Sequence, residues 1–495
     1  MARRAGVLLN ISSLPSPYGI GGLGKEAVDF AKRIADMGFS LWQILPTTPL
    51  GGGNCPYAGP SAFGGNVLYI DPDGLEEMGL ITAEEKESAV YEGSPYTAAY
   101  DFAATAKDKL LRLAYSRADS ALFKKVAAFG EAHPKVKDYA LFAAVKDAEG
   151  GRPYWEWGAY SDYAYATANK GVYEAEYLYR LFCQYIFFTQ WAQFKKAVNA
   201  LGVKIFGDMP IYVSADSAEL WSRPDMFLLN RRTGKPEKVA GVPPDYFSEE
   251  GQLWGNPLYD WKAMKKDGYR WWIERIQAGG ELFDLLRIDH FRALASYWAV
   301  PATAKTAKEG AWEKGPAMGL FKALAGKVDC EIVAEDLGTF GEDVVKLLKD
   351  TGLPGMRVVQ FGFAPGENSE HLPHNYVRNT VAYIGTHDNN TLLGWLWEAT
   401  PEERKFALDY CSADEQGWEQ GGRKAPACRK IIKAVWRSVA DTAVISLQDM
   451  CGYGSDTRMN IPGEPEGNWL FRTTREALDD IDEDYYKKLN SIYNR

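Results

Sequence analysis

The stretch DLLRIDHFR, residues 284–292, decides how this chain is read. Leu285, Leu286 and Ile288 form the short apolar run expected of a strand buried on both faces, and the run ends on charge. Side chains alternate along a strand, so Arg287 and Asp289 share a face. A guanidinium beside a carboxylate keeps that carboxylate ionised and fixed at neutral pH. A nucleophile or an electrostatic stabiliser needs that state, but an ordinary ion pair at a strand end has it too. Recurrence of the pattern along the chain separates the two readings.

Upstream, residues 7–11 (VLLNI) and 41–46 (LWQILP) are strand candidates. Between them, residues 26–37 have helical spacing, with Ala27, Phe30, Ala31 and Ile34 on one face. The chain therefore opens β-α-β, the unit that builds parallel sheets. Residues 48–66 form a glycine-rich loop without the GK[ST] of a Walker phosphate loop. From about 75 to 200 the pattern is mostly helical, and Thr82-Ala83-Glu84-Glu85 is a capping box.

The β-α rhythm then resumes. Residues 203–207 (VKIFG) end on Asp208, and a long loop-like segment runs from about 212 to 257. Helical residues 259–282 lead into the 285–288 strand. Residues 331–334 (EIVA) end on Glu335, and 356–361 (MRVVQF) form the next strand. Residues 381–385 (VAYIG) precede Thr386-His387-Asp388, and 443–447 (AVISL) precede Gln448-Asp449. Eight strands separated by helices predict an α/β fold, a (β/α)₈ TIM barrel. One catalytic domain spans 1–495, with a helical insertion at about 75–200 and a loop subdomain at about 212–257 covering the substrate. Five strands end on an acid: Asp208, Asp289, Glu335, Asp388 and Asp449. In a parallel barrel those ends converge on the face that holds the active site.

Composition narrows the partners. A net charge of −10 argues against a nucleic-acid groove or an anionic membrane surface. The six cysteines are scattered without a CxxC pair, which excludes a zinc ribbon or disulfide framework and points to a reducing, cytoplasmic setting. Aromatic residues make up 13% of the chain; they serve a large core or the flat faces on which sugar rings pack.

No other catalytic engine is present in the sequence. The five histidines are His133, His290, His371, His374 and His387, and their spacing suggests no metal site. There is no GxSxG elbow and no GxGxxG after a strand. Carboxylates without metal or cofactor, together with aromatic residues in long loops, fit glycosidic bond chemistry. Asp289, held by Arg287, is the better nucleophile. Glu335 follows Ile332-Val333-Ala334, a setting that raises a carboxyl pKa, and is the acid/base.

Asp208 in GDMPIYV, Asp289 in LRIDHFR, Glu335 in AEDLG and Asp388 in GTHDNNT resemble the strand-end motifs of the α-amylase superfamily. GVPPDYFSEEGQLWGNPLYDW and the C-terminal GSDTRMNIPGEPEGNW are similar to the 4-α-glucanotransferases called amylomaltase or disproportionating enzyme. The resemblance implies transfer of an α-1,4-glucan segment to the 4-OH of glucose or another glucan, through a covalent glucosyl-enzyme. It gives Asp289 as nucleophile, Glu335 as acid/base and Asp388 as transition-state stabiliser. Arg287 orients Asp289, His290 and His387 bind the same sugar, and Asp208 is a structural or subsite residue. Further substrate contacts are Tyr57, Asp245, Gln252, Trp254, Phe361 and Asn460, with Tyr246 and Trp254 on a lid. The expected partners are maltooligosaccharides, starch or glycogen, with neither metal nor other cofactor. The family commonly has Ser where this chain has Cys55, here read as a packing residue. A plain α-1,4-glucan hydrolase is the alternative that the acids alone do not separate.

Overall fold

The computed structural model describes residues 3–230, 232–244, 249–338 and 341–495. Among the described residues there are twelve strands: β1 (Arg4–Leu8), β2 (Leu41–Gln43), β3 (Lys204–Met209), β4 (Lys238–Val242), β5 (Gln252–Pro257), β6 (Leu285–Ile288), β7 (Ser296–Pro301), β8 (Ala311–Lys314), β9 (Glu331–Ala334), β10 (Gly355–Val358), β11 (Thr380–Tyr383) and β12 (Thr442–Ser446). Eight of them form one parallel sheet in the order β10-β11-β12-β1-β2-β3-β6-β9. With helices packed outside, this is the expected (β/α)₈ barrel.

The barrel strands are short and mostly buried because both of their faces are covered. β6, β11 and β12 are buried at every position. Two polar groups inside the barrel are paired: the Tyr383 hydroxyl donates to Gln43 Oε1 at 2.8 Å, and the Trp42 indole donates to the Leu9 carbonyl at 2.8 Å. Such pairing is required where water is excluded. The seam lies between β9 and β10. There the Ala334 amide donates to the Pro354 carbonyl at 2.9 Å. Asp336 adds to it, accepting from the Met356 amide at 2.5 Å and from Arg357 Nη1 at 2.9 Å.

Strand bounds differ from the sequence expectation, and the second strand ends at Gln43 rather than residue 46. The first lies at Arg4–Leu8 rather than 7–11, and Ile11–Ser13 form a 3₁₀ turn. The sixth barrel strand ends at Val358, and Val359–Gly362 turn away as a 3₁₀ helix that carries Phe361 off the strand.

Between β2 and β3 the chain is helical, from Pro72–Glu77 to the 27-residue helix Glu174–Ala200. The Thr82 capping box is formed, with Glu85 closing it. A second sheet, absent from the sequence reading, has the antiparallel order β5-β4-β7-β8. It joins the segment at 212–257, expected as loop, to residues 296–314 beyond β6. Its strands stand beside the mouth of the barrel, because β7 begins eight residues after the end of β6 and is entered through the turn Phe291–Leu294.

Candidate active site

The barrel ladder runs one residue past β6 and β9. Asp289 N–H donates to the Met209 carbonyl at 3.0 Å, and Glu335 N–H to the Ile288 carbonyl at 3.0 Å. Three neighbouring strands therefore deliver Asp208, Asp289 and Glu335 side by side at one end of the barrel. Asp208 and Arg287 are register partners, so their side chains share a face. Arg287 Nη1 donates to Asp208 at 2.5 Å, and Nη2 lies 2.7 Å from Asp289. Tyr57 completes this cluster, its hydroxyl donating to Asp208 Oδ2 at 2.8 Å.

The Asp208 side chain is 0% exposed and that of Arg287 4%, whereas Asp289 keeps 29% of its surface open. Asp208 is a buried anchor for Arg287 and Tyr57, and Asp289 is the member of the cluster that faces the cleft.

Beyond β6 the backbone turns sharply. His290 has φ of 49°, a left-handed conformation uncommon for a side-chain-bearing residue. The turn aims the His290 amide at Glu335 Oε2, 2.7 Å away, while the Leu337 amide holds Oε1 at 2.7 Å. The His290 ring meets Trp254 edge to face at 4.8 Å. Burial drops the imidazole to about 3, so at neutral pH His290 is uncharged.

Burial raises both central carboxyls, and Arg287 opposes that rise in each. Asp289 reaches about 6, and Asp208 and Asp388 add to the upward push. Glu335 reaches about 7, pushed further by Asp289 and held back by its two backbone donors. The guanidinium offsets the desolvation of Asp289 only in part, so its carboxyl sits above the ordinary range. The order needed for acid–nucleophile chemistry survives: near neutrality Asp289 is the more ionised and Glu335 the more protonated.

Asp388 arrives from β11, with β9 and β10 between it and β6. Asn460 Nδ2 donates to its Oδ1 at 2.6 Å, and His387 Nε2 lies 3.3 Å from its Oδ2. The side chain remains 42% exposed, open to a ligand. Tyr57 stacks on His387 at 5.2 Å, joining the Asp208 cluster to the Asp388 cluster. Gln252 and Trp254 sit on β5, where the Trp254 indole donates to Gln252 Oε1 at 3.1 Å. Phe361 packs edge to face on His371 at 5.6 Å, on the turn after β10. Asp245 and Tyr246 lie outside the described residues.

Asp449 does not join the site. It falls in the helix Leu447–Cys451, is 4% exposed, and accepts from the Leu392 amide at 2.6 Å at the start of the helix Leu392–Glu398. Its carboxylate satisfies an orphan helix donor. Cys55 is partly buried against the core, in line with its reading as packing.

Three contributors were not singled out from the sequence. Arg458 donates to the Asp388 carbonyl at 2.6 Å, and Trp469 packs against Tyr57 at 5.9 Å and His387 at 6.0 Å. Both lie within the quoted C-terminal motif, which carried the signal. Tyr212, 6.3 Å from Trp254 and 6.0 Å from Tyr259, packs beside the β5 aromatic and lies within the quoted GDMPIYV.

Among known proteins, the 4-alpha-glucanotransferase family, glycoside hydrolase family 77, matches residues 9–477. A 4-alpha-glucanotransferase of Clostridium butyricum is 39% identical over 98% of this chain and 100% of its own length. That of Thermus thermophilus is 42% identical over 95% of each. The amylomaltase from Streptococcus agalactiae, solved in complex with acarbose, superposes with a TM-score of 0.95 at 35% identity, covering 100% of this chain and 99% of that one.

Proposed function

The chain belongs to the 4-alpha-glucanotransferase family, and on that premise we propose how its own residues carry out the transfer. The observation that carries the reading is the pairing of Asp289, gripped by Arg287 at 2.7 Å, with Glu335, raised to about 7 by burial. An ionised carboxylate and a protonated one stand on adjacent strands, as retaining glycosyl transfer requires.

Asp289 attacks the anomeric carbon of an α-1,4-glucan while Glu335 gives its proton to the departing glycosidic oxygen. The donor's non-reducing segment is now esterified to Asp289. The 4-OH of a second glucan, or of glucose, then attacks the same carbon. Glu335, now a carboxylate, takes the hydroxyl proton, and Asp289 leaves as a free carboxylate. Asp388 holds hydroxyls of the distorted sugar, with its carboxylate fixed by Asn460 and His387. Gln252, Trp254 and His290 line the other side.

Transfer must outrun hydrolysis. The Trp254 ring over His290 gives the acceptor an apolar surface to bind and displaces water from the glucosyl-enzyme. Maltooligosaccharides, starch or glycogen are the donors under this reading. The helical segment at about 75–200 and the covering segment at about 212–257 are additions to one catalytic unit. Six free thiols support a reducing, cytoplasmic setting, and among the described residues no helix is long and apolar enough to cross a membrane.

The test is incubation of the pure protein with maltotriose, with products separated by size. Free glucose together with chains longer than the trisaccharide is the expected result. Glucose and maltose with nothing longer would mean that water is the acceptor and that the protein is a hydrolase. Acarbose, the ligand of the Streptococcus agalactiae structure, is expected to inhibit.

A further inference from the structure

A second indole near the mouth of the barrel has no role in the steps above. Trp312 on β8 is 44% exposed, yet its orientation is fixed. The Trp298 ring meets it at 5.0 Å and 67°, and the Arg292 guanidinium carbon lies 3.9 Å from its centroid. Register places Trp312 opposite Trp298, Trp298 opposite Gly241, and Gly241 opposite Leu253. One face of the sheet therefore carries an apolar row across all four strands, with Leu253 43% exposed at its far side. Gly241 is required in that row, because a Cβ there would lie 2.5 Å from the Gln252 carbonyl oxygen.

Arg292 connects this indole to the reaction centre. It follows two residues after His290, whose amide is bonded to Glu335, and its guanidinium feels the charges of Asp343 and Glu335. Asp388, Asn460, His387 and Tyr57 form a separate cluster joined to Asp208. Trp312 thus belongs to the acid/base side of the cleft. In a retaining transfer, the leaving chain and the incoming acceptor occupy the side on which the acid/base stands.

We propose that Trp312 is a stacking platform for a glucosyl unit of the leaving or acceptor glucan, away from the unit at the bond that breaks. The inference rests on the transferase reading and adds a determinant of acceptor length. An indole held by Trp298 and Arg292 loses little conformational freedom when a sugar's C–H face covers it, so most of the contact appears as affinity. Under this proposal glucose, a single unit at the reaction centre, gains nothing from Trp312. A longer acceptor spans both.

The experiment uses the full chain, an unlabelled maltoheptaose donor and labelled acceptors from glucose to maltopentaose. The readout is the ratio of acceptor KM for glucose to that for maltopentaose. Trp312→Ala is expected to shrink that ratio about tenfold, the size of one lost aromatic stacking contact. Trp312→Phe, which keeps a ring against Trp298 and Arg292, is expected to retain most of it. A ratio unchanged in Trp312→Ala, whether no KM moves or all rise together, overturns the proposal. Wild-type protein that releases label-free sugars and never extends a labelled acceptor overturns the transferase reading itself, before any variant is compared.

Discussion

Arg287 and Asp289 stand 2.7 Å apart on one face of the same strand end, and the same guanidinium also holds the fully buried Asp208. One cation thus serves two carboxylates where little water reaches. Replacing it with Met leaves a buried anion, Asp208, and a partly exposed one, Asp289, without a counter-charge. Breaking a buried pair on one side costs about 3–5 kcal/mol. Arg287→Met is therefore expected to lower unfolding stability by about that amount and to move the acid limb of the pH–rate profile upward. Denaturant titration and kcat against pH measure the two effects. A profile that stays in place would mean that Arg287 does not set the state of Asp289.

The carboxyl values fix the sign of the pH dependence. Asp289 must be ionised to attack, so activity rises with pH through about 6. Glu335 must be protonated to assist departure, so activity falls with pH through about 7. The expected kcat/KM profile is a bell with its maximum between those values, and its two limbs belong to the pair because each charge is felt by the other. Glu335→Gln removes the proton that the second limb reports. It is expected to lower turnover about 10²–10⁴-fold and to flatten the alkaline side. An alkaline limb unchanged in the variant would assign that ionisation elsewhere.

Asp289→Asn replaces the nucleophile with a group of nearly the same shape. The expected result is loss of turnover with glucan binding largely kept, read by calorimetry with maltoheptaose and by product analysis. Activity surviving the change would remove Asp289 from the role.

The barrel strands were legible because a parallel strand covered on both faces reads as a short, mainly apolar run, as Leu285–Ile288 and Thr442–Ser446 do. The second sheet was not. β4 (KVAGV) and β5 (QLWGNP) carry glycine, asparagine and proline, which locally read as turn, and β4 finds its β7 partner about sixty residues away. Strand ends locate an acid but not the direction it takes one or two residues later. Asp289 turns into the cleft, while Asp449 turns back to cap a helix. The positive φ of His290, on which the Glu335 hydrogen bond depends, has no signature in residue type.

The fold also changes how the covering segment is best tested. Deleting residues 247–255 removes most of β5, so the sheet would fail together with the lid. Trp254→Ala is the sharper probe, because the ring is 37% exposed and lies 4.8 Å from His290. It is expected to reduce the ratio of transfer to hydrolysis several-fold, with Trp254→Phe intermediate, measured as longer products against total reducing ends from maltotriose. A ratio equal to wild type would show that the indole does not help the acceptor compete with water.

The barrel seam has its own prediction. Asp336 is 3% exposed, and burial raises its carboxyl despite Arg357. It accepts the Met356 amide at 2.5 Å and Arg357 Nη1 at 2.9 Å, which ties β10 to the exit of β9 across the gap in the ladder of described strands. Asp336→Ala leaves a buried amide without its acceptor and Arg357 with Glu370, 2.8 Å away, and the Met356 carbonyl, 2.5 Å away. The expected loss is about 3 kcal/mol of unfolding free energy. Gly355→Ala attacks the same joint from the other strand, because its Cβ would lie 2.5 Å from the Asp336 carboxylate. If Asp336 is the fastener, the two changes combine to less than their sum, since whichever comes first already opens the joint. Additive losses in a denaturant double-mutant cycle would place closure of the barrel in the packing of its helices instead.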